Sequence, residues 1–391
     1  MSASVLQSRR LAAVQTPVIP IISRWTAETP GTISLGQGIV AYGPPPEAIE
    51  AARRFGASLD DHRYGPVEGQ PSLVEALEDK LARENDIRVR PDSRLVVTAG
   101  GNLAFMNAAL AITDPGDEVI FPAPFYFNHE MAVMMAGGQP VPVPTTRDYQ
   151  LDVDAIARAI GDRTRAVVTV SPNNPTGAVY SEGSLRAVNA LCRERRVFHI
   201  HDETYEYFTY DNTPHFSPGS IDGASAYTLS LFSMSKAYGM ASWRVGYMVI
   251  PESLWDAINK IQDTLLICAP VVSQVAAVAA LRVGRAYAAS KIRPLAEMRQ
   301  TIGSALDDPA VPCTVASAPG AFYFFVRVFA PFESLDLTER LIREHQVAVV
   351  PGSAFGGDEC SIRVSYGALD PSSADEGARR LVRGLQELAR T

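Results

Sequence analysis

The chain has 391 residues, 47% of them hydrophobic and 20% charged, with a formal net charge of −8 at pH 7. That length holds two domains, or one large domain with a smaller appendage, and the composition excludes a disordered chain. The acidic balance, without any basic block interleaved with aromatics, excludes a general nucleic-acid binder and points to small-molecule partners.

In chain order, residues 1–45 read as irregular and proline-rich, with ISLGQGIVAYGPPP as the notable stretch. No long apolar run ending in a cleavage site follows Arg9 and Arg10, so no secretory leader is expected. SLVEALEDKLAREN (72–85) sets leucine and alanine at helical spacing with charges opposite, and predicts a helix. RLVVTAGG predicts a strand running into a glycine-rich turn, and NLAFMNAALAI the helix after it. DEVIFPAP, QPVPVPT, RAVVTVSP, RVFHIHDE and YTLSLFS are further β-rich runs, several of them separated by helix-length segments such as SEGSLRAVNALCRER. After Trp255 the pattern turns to long helices (LWDAINKIQDTLL, SQVAAVAALRVG, RAYAASKIRPLAEMRQTIGSAL). Strands return at CTVASAPGAFYFFVRV, VAVVP and SIRVSYG, and a helix closes the chain over 372–388.

No apolar run reaches membrane-spanning length, so no membrane partner is expected. Cys192, Cys268, Cys313 and Cys360 stand far apart with no C-x-x-C, which argues against structural zinc and against a disulfide framework; the cytosol is the expected compartment.

Strands alternating with helices predict an α/β fold: a mostly parallel sheet covered on both faces, followed by a smaller α+β domain that the N-terminal segment joins. In such sheets ligands bind beyond the carboxyl ends of the strands. Asn174, Asp202 and Lys236 each follow an apolar run, and Gly100–Gly101 follow LVVTA, so one crevice can collect them.

Each of these residues has an ordinary alternative. TAGGN (98–102) is either a sharp turn or a cradle in which backbone N–H groups and a helix N-terminus meet an anion. SPNNPTG (171–177) is a turn with an Asn-Pro bond able to be cis, or a mount for the Asn174 amide at a strand end. Asp202 in HIHDETYEYF is a helix N-cap or a buried carboxylate that needs a partner, with Tyr205 three residues on; His199 and His201 read as strand residues. Lys236 is a solvated charge, or an amine whose pKa is lowered by its apolar setting in LFSMSKAYGMASWRVGY, as imine formation with a carbonyl compound requires. Arg244 and Arg363 are surface charges, or fixed partners for a phosphate and a carboxylate.

Taken together they describe one site. Gly100, Gly101, Ser233, Ser235 and Arg244 form an anion cradle, Asp202 is a carboxylate, Asn174 and Tyr205 are donors, Lys236 is an amine and Arg363 a second guanidinium. A phosphorylated aldehyde with a ring nitrogen, pyridoxal 5′-phosphate, fits every part.

The ordered motifs LGQG, YGPVEGQPSL, TAGGN, SPNNPTG, DETYEYF, SMSKAYGMASWRVGY, PGAFYFF, VPGSAFG and IRVSYG resemble the fold-type-I, class I/II aminotransferase family over nearly the whole chain. FYFNHEMAVMMAG, TYEYFTYD and IQDTLLICAPVVSQ are most similar to the branch containing plant aromatic/methionine aminotransferases. The resemblance implies a seven-stranded type of sheet in a large cofactor domain over 46–280, a small domain over 281–391, and a segment over 1–45 packing with the small domain. It implies that Lys236 forms the Schiff base and shuttles the proton, that Asp202 pairs with the pyridinium nitrogen, and that Asn174 and Tyr205 hold the ring's phenolic oxygen. Tyr126 in PFYFNH would stack on the ring, with Phe125 and Phe127 as neighbouring candidates. Gly100, Gly101, Asn102, Ser233, Ser235 and Arg244 would hold the phosphate, and Tyr64 would reach it from the partner subunit of a homodimer. Arg363 would clamp the donor α-carboxylate, with Asn174 and the backbone of Gly38 beside it. No metal is implied.

IVAYGPPP after LGQG departs from the commoner acidic-aromatic version, and no arginine is identifiable as a clamp for an acidic side chain. The first implies a different substrate-side wall; the second favours aromatic, methionine or other neutral L-amino acids as donors to a 2-oxo acid. The rivals are an aspartate-type aminotransferase, a lyase, cyclase or oxidase using the same cofactor, and, more distantly, a non-catalytic regulator that binds it.

Overall fold

The strands of the chain are β1 Ile33–Ser34, β2 Ser93–Thr98, β3 Glu118–Ala123, β4 Gln139–Pro144, β5 Thr164–Val170, β6 Phe198–Asp202, β7 Thr228–Ser233, β8 Gly246–Pro251, β9 Cys313–Val315, β10 Tyr323–Val328, β11 Val347–Ala348, β12 Val350–Pro351 and β13 Ser361–Ser365. They come from a computed structural model describing residues 8–357 and 359–389; residues 1–7 of the predicted N-terminal segment, and Asp358, Arg390 and Thr391 of the predicted small domain, lie outside the described residues.

Seven strands form the main sheet in the order β2-β8-β7-β6-β5-β3-β4. All neighbours run parallel except β8, which is antiparallel to both β2 and β7. Successive residues feed opposite faces. Val96, Leu231, Met248 and Ile250 enter one hydrophobic cluster with Phe105 and Ile258, whereas Val97, Phe232, Tyr247 and Val249 enter another with Leu73, Leu77 and Leu81. Burial on both faces is why these strands read as continuous apolar runs rather than as alternating ones. Each fully buried Leu or Phe side chain contributes about 1.5–3 kcal/mol.

Sequence reasoning missed β8. GYMVIP follows the conspicuous lysine–arginine segment and is too short for its apolar run to announce an element of its own. It is buried throughout and sits inside the sheet, between β2 and β7.

The second sheet is antiparallel, in the order β12-β13-β10-β9. CTVASAPGAFYFFVRV thus becomes two strands with a turn between them, and VAVVP is divided between β11 and β12. The N-terminal region is not irregular throughout. Val18–Glu28 is a helix that places buried Val18, Ile22 and Trp25 on one face, and β1 pairs in parallel with β11. Pro17 and Pro20 hid that helix, yet proline is tolerated in a first turn, where the N–H lacks an intrahelical partner anyway. Among the described residues no helix is long and apolar enough to cross a membrane.

Candidate active site

Val170, Asp202 and Ser233, the last residues of β5, β6 and β7, line one pocket of about 570 Å³. Its volume lies within the range usual for small-molecule sites. The chain leaves β7 at Ser233 and turns through Ser235 to Lys236, all three lining the pocket. Lys236 Nζ donates to the carbonyl oxygen of Gly38 at 2.5 Å. Burial, and then the guanidinium groups of Arg363 and Arg244, bring the pKa of this ammonium down from 10.5 to about 8. The turn is held from outside by the Tyr42 hydroxyl, which donates to the Lys236 carbonyl at 3.0 Å. Gly239 has φ +62°, and a Cβ there would stand 2.5 Å from the Tyr42 and Gly43 carbonyl oxygens, so this approach requires glycine.

Asp202 ends β6 with its side chain in the pocket. Its Oδ1 accepts the Thr204 N–H at 2.9 Å, and Oδ2 lies 3.1 Å from His129 Nε2. Burial alone would raise its pKa, but the His129 and Thr204 contacts outweigh burial and hold the carboxyl below its ordinary value. A turn rather than a helix follows, so the Thr204 bond is a local cap and the other oxygen is committed to His129. The His129 ring stacks on Phe105 with centroids 3.9 Å apart. Tyr205 pairs its hydroxyl with that of Tyr323 at 2.7 Å. Burial raises the pKa of both, that of Tyr323 to about 12, so both stay protonated near neutral pH.

One end of the pocket is built for an anion. Helix Gly101–Ile112 begins there without a side-chain cap, leaving its first N–H groups for another acceptor. Gly101, Asn102, Ser233, Ser235 and Arg244 line this end. Gly100, expected among them, stands behind instead. With φ +87° it passes so close to Arg244 that a Cβ would lie 2.4 Å from Nη2. Arg244, itself left-handed at φ 53°, donates to the carbonyls of Ala241 at 2.9 Å and Ala99 at 3.2 Å.

The opposite end holds Arg363, on β13 and 3% exposed. Nη1 donates to Asn174 Oδ1 at 2.9 Å and Nη2 to the Gly36 carbonyl at 2.7 Å, while buried Nε has no partner among the described residues. The guanidinium lies 4.6 Å from the Tyr323 ring centroid and 5.0 Å from that of Phe355. The Asn174–Pro175 peptide is cis, as the sequence allows. Gly38 passes under the Tyr323 hydroxyl, 2.7 Å from where its Cβ would be.

Tyr126 lines the pocket; its hydroxyl accepts from Asn128 Nδ2 at 2.7 Å and lies edge-on to His129. Phe125 instead turns into the core against Phe121, and Phe127 contributes to the pocket wall while packing on Phe355. Tyr64 does not line the pocket of its own chain and is 80% exposed. His129, Thr204 and Tyr323 were missed as site residues. His129 and Tyr323 stand inside the quoted motifs PFYFNH and PGAFYFF, but their partners are distant in sequence.

A flat phosphorylated aldehyde suits this donor set: an uncapped helix end and a guanidinium at one side, a carboxylate kept ionised, a partly neutral amine, and a buried guanidinium Nε left over. The family profile described as "Aminotransferase class I and II" matches residues 30–381. The aromatic aminotransferase ISS1 of Arabidopsis thaliana is 34% identical over 97% of this chain and 96% of its own length. The structure of the aspartate aminotransferase from Thermus thermophilus with maleate is similar at TM-score 0.89, with 32% identity over 97% of this chain and all of that one (100%). The aromatic aminotransferase from Pyrococcus horikoshii is similar at TM-score 0.85, with 32% identity over 94% of this chain and 99% of that one. The chain therefore belongs to the class I and II aminotransferase family and is a pyridoxal-phosphate-dependent aminotransferase of fold type I.

Proposed function

We propose that Lys236 is the amine that carries the cofactor and moves the donor's α-proton, and that the donor is an aromatic, methionine-like or other neutral L-amino acid passing its amino group to a 2-oxo acid. One observation carries the role of Lys236: an ammonium brought down to about 8 shares a pocket with an ionised Asp202 and a buried Arg363. When bound, pyridoxal 5′-phosphate supplies an aldehyde for an amine to condense with and a protonated ring that draws electrons from the substrate carbon. Asp202 holds the proton on the ring nitrogen. Asn174 and Tyr205 donate toward the phenolic oxygen, and Tyr126 covers the ring face. Gly101, Asn102, Ser233, Ser235 and Arg244, with Gly100 behind, receive the phosphate.

Arg363 orients the donor carboxylate with Asn174 and the Gly38 backbone. That fixes the α-hydrogen toward Lys236, which would accept it as a neutral amine and return it across the shared nitrogen to the carbon that the cofactor's aldehyde supplies. For the side chain, Pro17, Ile19, Ile39 and Phe127 form an apolar wall. Among the described residues lining the pocket the cations are Lys236, Arg244 and Arg363, each with another task, so within one chain an acidic side chain would find no guanidinium of its own.

We assign residues 46–280 to a large unit and 281–391 to a small one joined by 1–45; the β1–β11 pairing and the packing of helix Arg285–Leu306 on Pro371–Leu388 support that division. Exposed Tyr64, Leu59 and Leu265 support a homodimer in which Tyr64 completes the partner's phosphate site, and the free state of all four cysteines supports the cytosol.

The donor class is tested by mixing the yellow holoenzyme with single amino acids and following loss of its colour. Rapid conversion by phenylalanine, tyrosine, tryptophan or methionine is expected. An exclusive response to aspartate, which the aspartate relatives accept by name, would reject the neutral-donor assignment.

A further inference from the structure

Behind the Asp202–Tyr205 turn, on the side away from the pocket, lies a buried ionic cluster. Lys80, from helix Pro71–Glu84, is 2% exposed, and its Nζ lies 2.5 Å from both oxygens of Glu206 and 2.7 Å from Asn85 Oδ1. Asn85 Nδ2 donates onward to Glu206 at 2.8 Å and to Ser217 Oγ at 3.0 Å. Ser217 bonds Glu203, and His215 Nε2 reaches the same carboxylate at 2.8 Å. Glu203, Glu206 and His215 stand close enough together to hold a cation, and the Lys80 ammonium already lies against Glu206.

The same ammonium sits over two rings, 5.0 Å from the centroid of Phe232 and 5.2 Å from that of Tyr207. Phe232 immediately precedes Ser233, where β7 ends and the turn carrying Ser235 and Lys236 opens into the pocket; Glu206 immediately follows Tyr205. One buried cation therefore touches the backs of both segments that enter the site. A lysine is an expensive choice for a core position, since it must be desolvated and paired to stay charged.

We infer that Lys80 is a positioning residue for the transamination site: its ammonium fixes the segment bearing Asp202 and Tyr205 against the segment bearing Ser233, Ser235 and Lys236, through Glu206 and the face of Phe232. The inference rests on the roles proposed above for those five residues. Arg363 lies on the other sheet and makes none of these contacts, so the effect falls on the cofactor and not on the donor carboxylate.

Lys80→Met alone strands the Glu206 carboxylate, so the informative variant is Lys80→Met with Glu206→Gln, which removes both charges at nearly constant volume. The expected double variant keeps a Tm close to the parent. Its Kd for pyridoxal 5′-phosphate rises and its kcat falls, each by roughly tenfold, with donor KM unchanged. The pH midpoint of the bound cofactor's visible absorbance moves as well. Lys80→Arg with Glu206 intact keeps a cation over Phe232 and recovers most of kcat. Parent-like cofactor affinity, absorbance and kcat in a folded double variant would overturn the inference. So would Lys80→Arg no better than the double variant at equal Tm. Failure of the parent itself to take up the cofactor would refute the roles proposed for the site, not that of Lys80.

Discussion

The two ends of the pocket are built from different parts of the chain. Within one chain the anion end belongs to the main sheet: the loop after β2, the turn after β7 and Arg244 just before β8. The far end is assembled mainly from the antiparallel sheet, which supplies Arg363 and Tyr323, and from Gly36–Ile39 of the N-terminal segment, with Asn174 of the loop after β5 reaching in from the main sheet. Their arginines differ accordingly. Arg244 is exposed and tied to backbone carbonyls near its own turn, whereas Arg363 is buried, held on two sides and backed by two rings. The first suits a ligand that enters once and stays; the second suits one that must be aligned at every turnover. Cofactor retention and donor recognition should then be separable by mutation.

Arg363→Leu is the strongest way to break that separation. It removes the bidentate donor and leaves Asn174 Oδ1 and the Gly36 carbonyl unpaired, so donor kcat/KM should fall about a hundredfold or more, with cofactor affinity changed little. Steady-state kinetics beside fluorescence titration of the cofactor check it; a matching loss of cofactor affinity would merge the two ends. Arg244→Gln is the converse. Being exposed, the contact with phosphate proposed for it would be weakened by solvent, so cofactor Kd should rise about tenfold with donor KM nearly constant.

The smallest effect is set by pH. Only the neutral amine can attack an aldehyde, and the lowered pKa puts that form within reach. The rate of cofactor uptake by the cofactor-free protein should rise about fourfold from about pH 7.5 to 9.5 and level off, as an amine titrating near 8 requires. A rate still climbing steeply at higher pH would mean an ordinary exposed lysine. The sign for stability follows from the same shift. Between about 8 and 10.5 the unfolded chain binds the extra proton, so the contribution of Lys236 to stability rises with pH across that window.

Much of this was legible in the residues. Lys236, Asp202, Asn174 and the glycine turn are marked by polar groups at the ends of apolar runs, a local signal that survives in one sequence. The long amphipathic helices were equally plain. What escaped depends on tertiary partners. His129 matters because helix Phe127–Ala136 carries it to Asp202, and Tyr323 because β10 carries its hydroxyl to Tyr205. Strand β8 was lost because its short apolar run follows directly on the lysine–arginine segment and announces no element of its own. Helix Val18–Glu28 was hidden by its prolines, and the placement of Gly100 behind Arg244 is a matter of backbone curvature that composition does not record.

The central claim is that one amine, at position 236, bonds the vitamin-derived aldehyde. Reducing the yellow protein with borohydride and mapping its peptides by mass spectrometry should place a phosphopyridoxyl group on Lys236 alone, and Lys236→Ala should take no label while keeping its fold. A label on another lysine, or full turnover by Lys236→Ala, would contradict it.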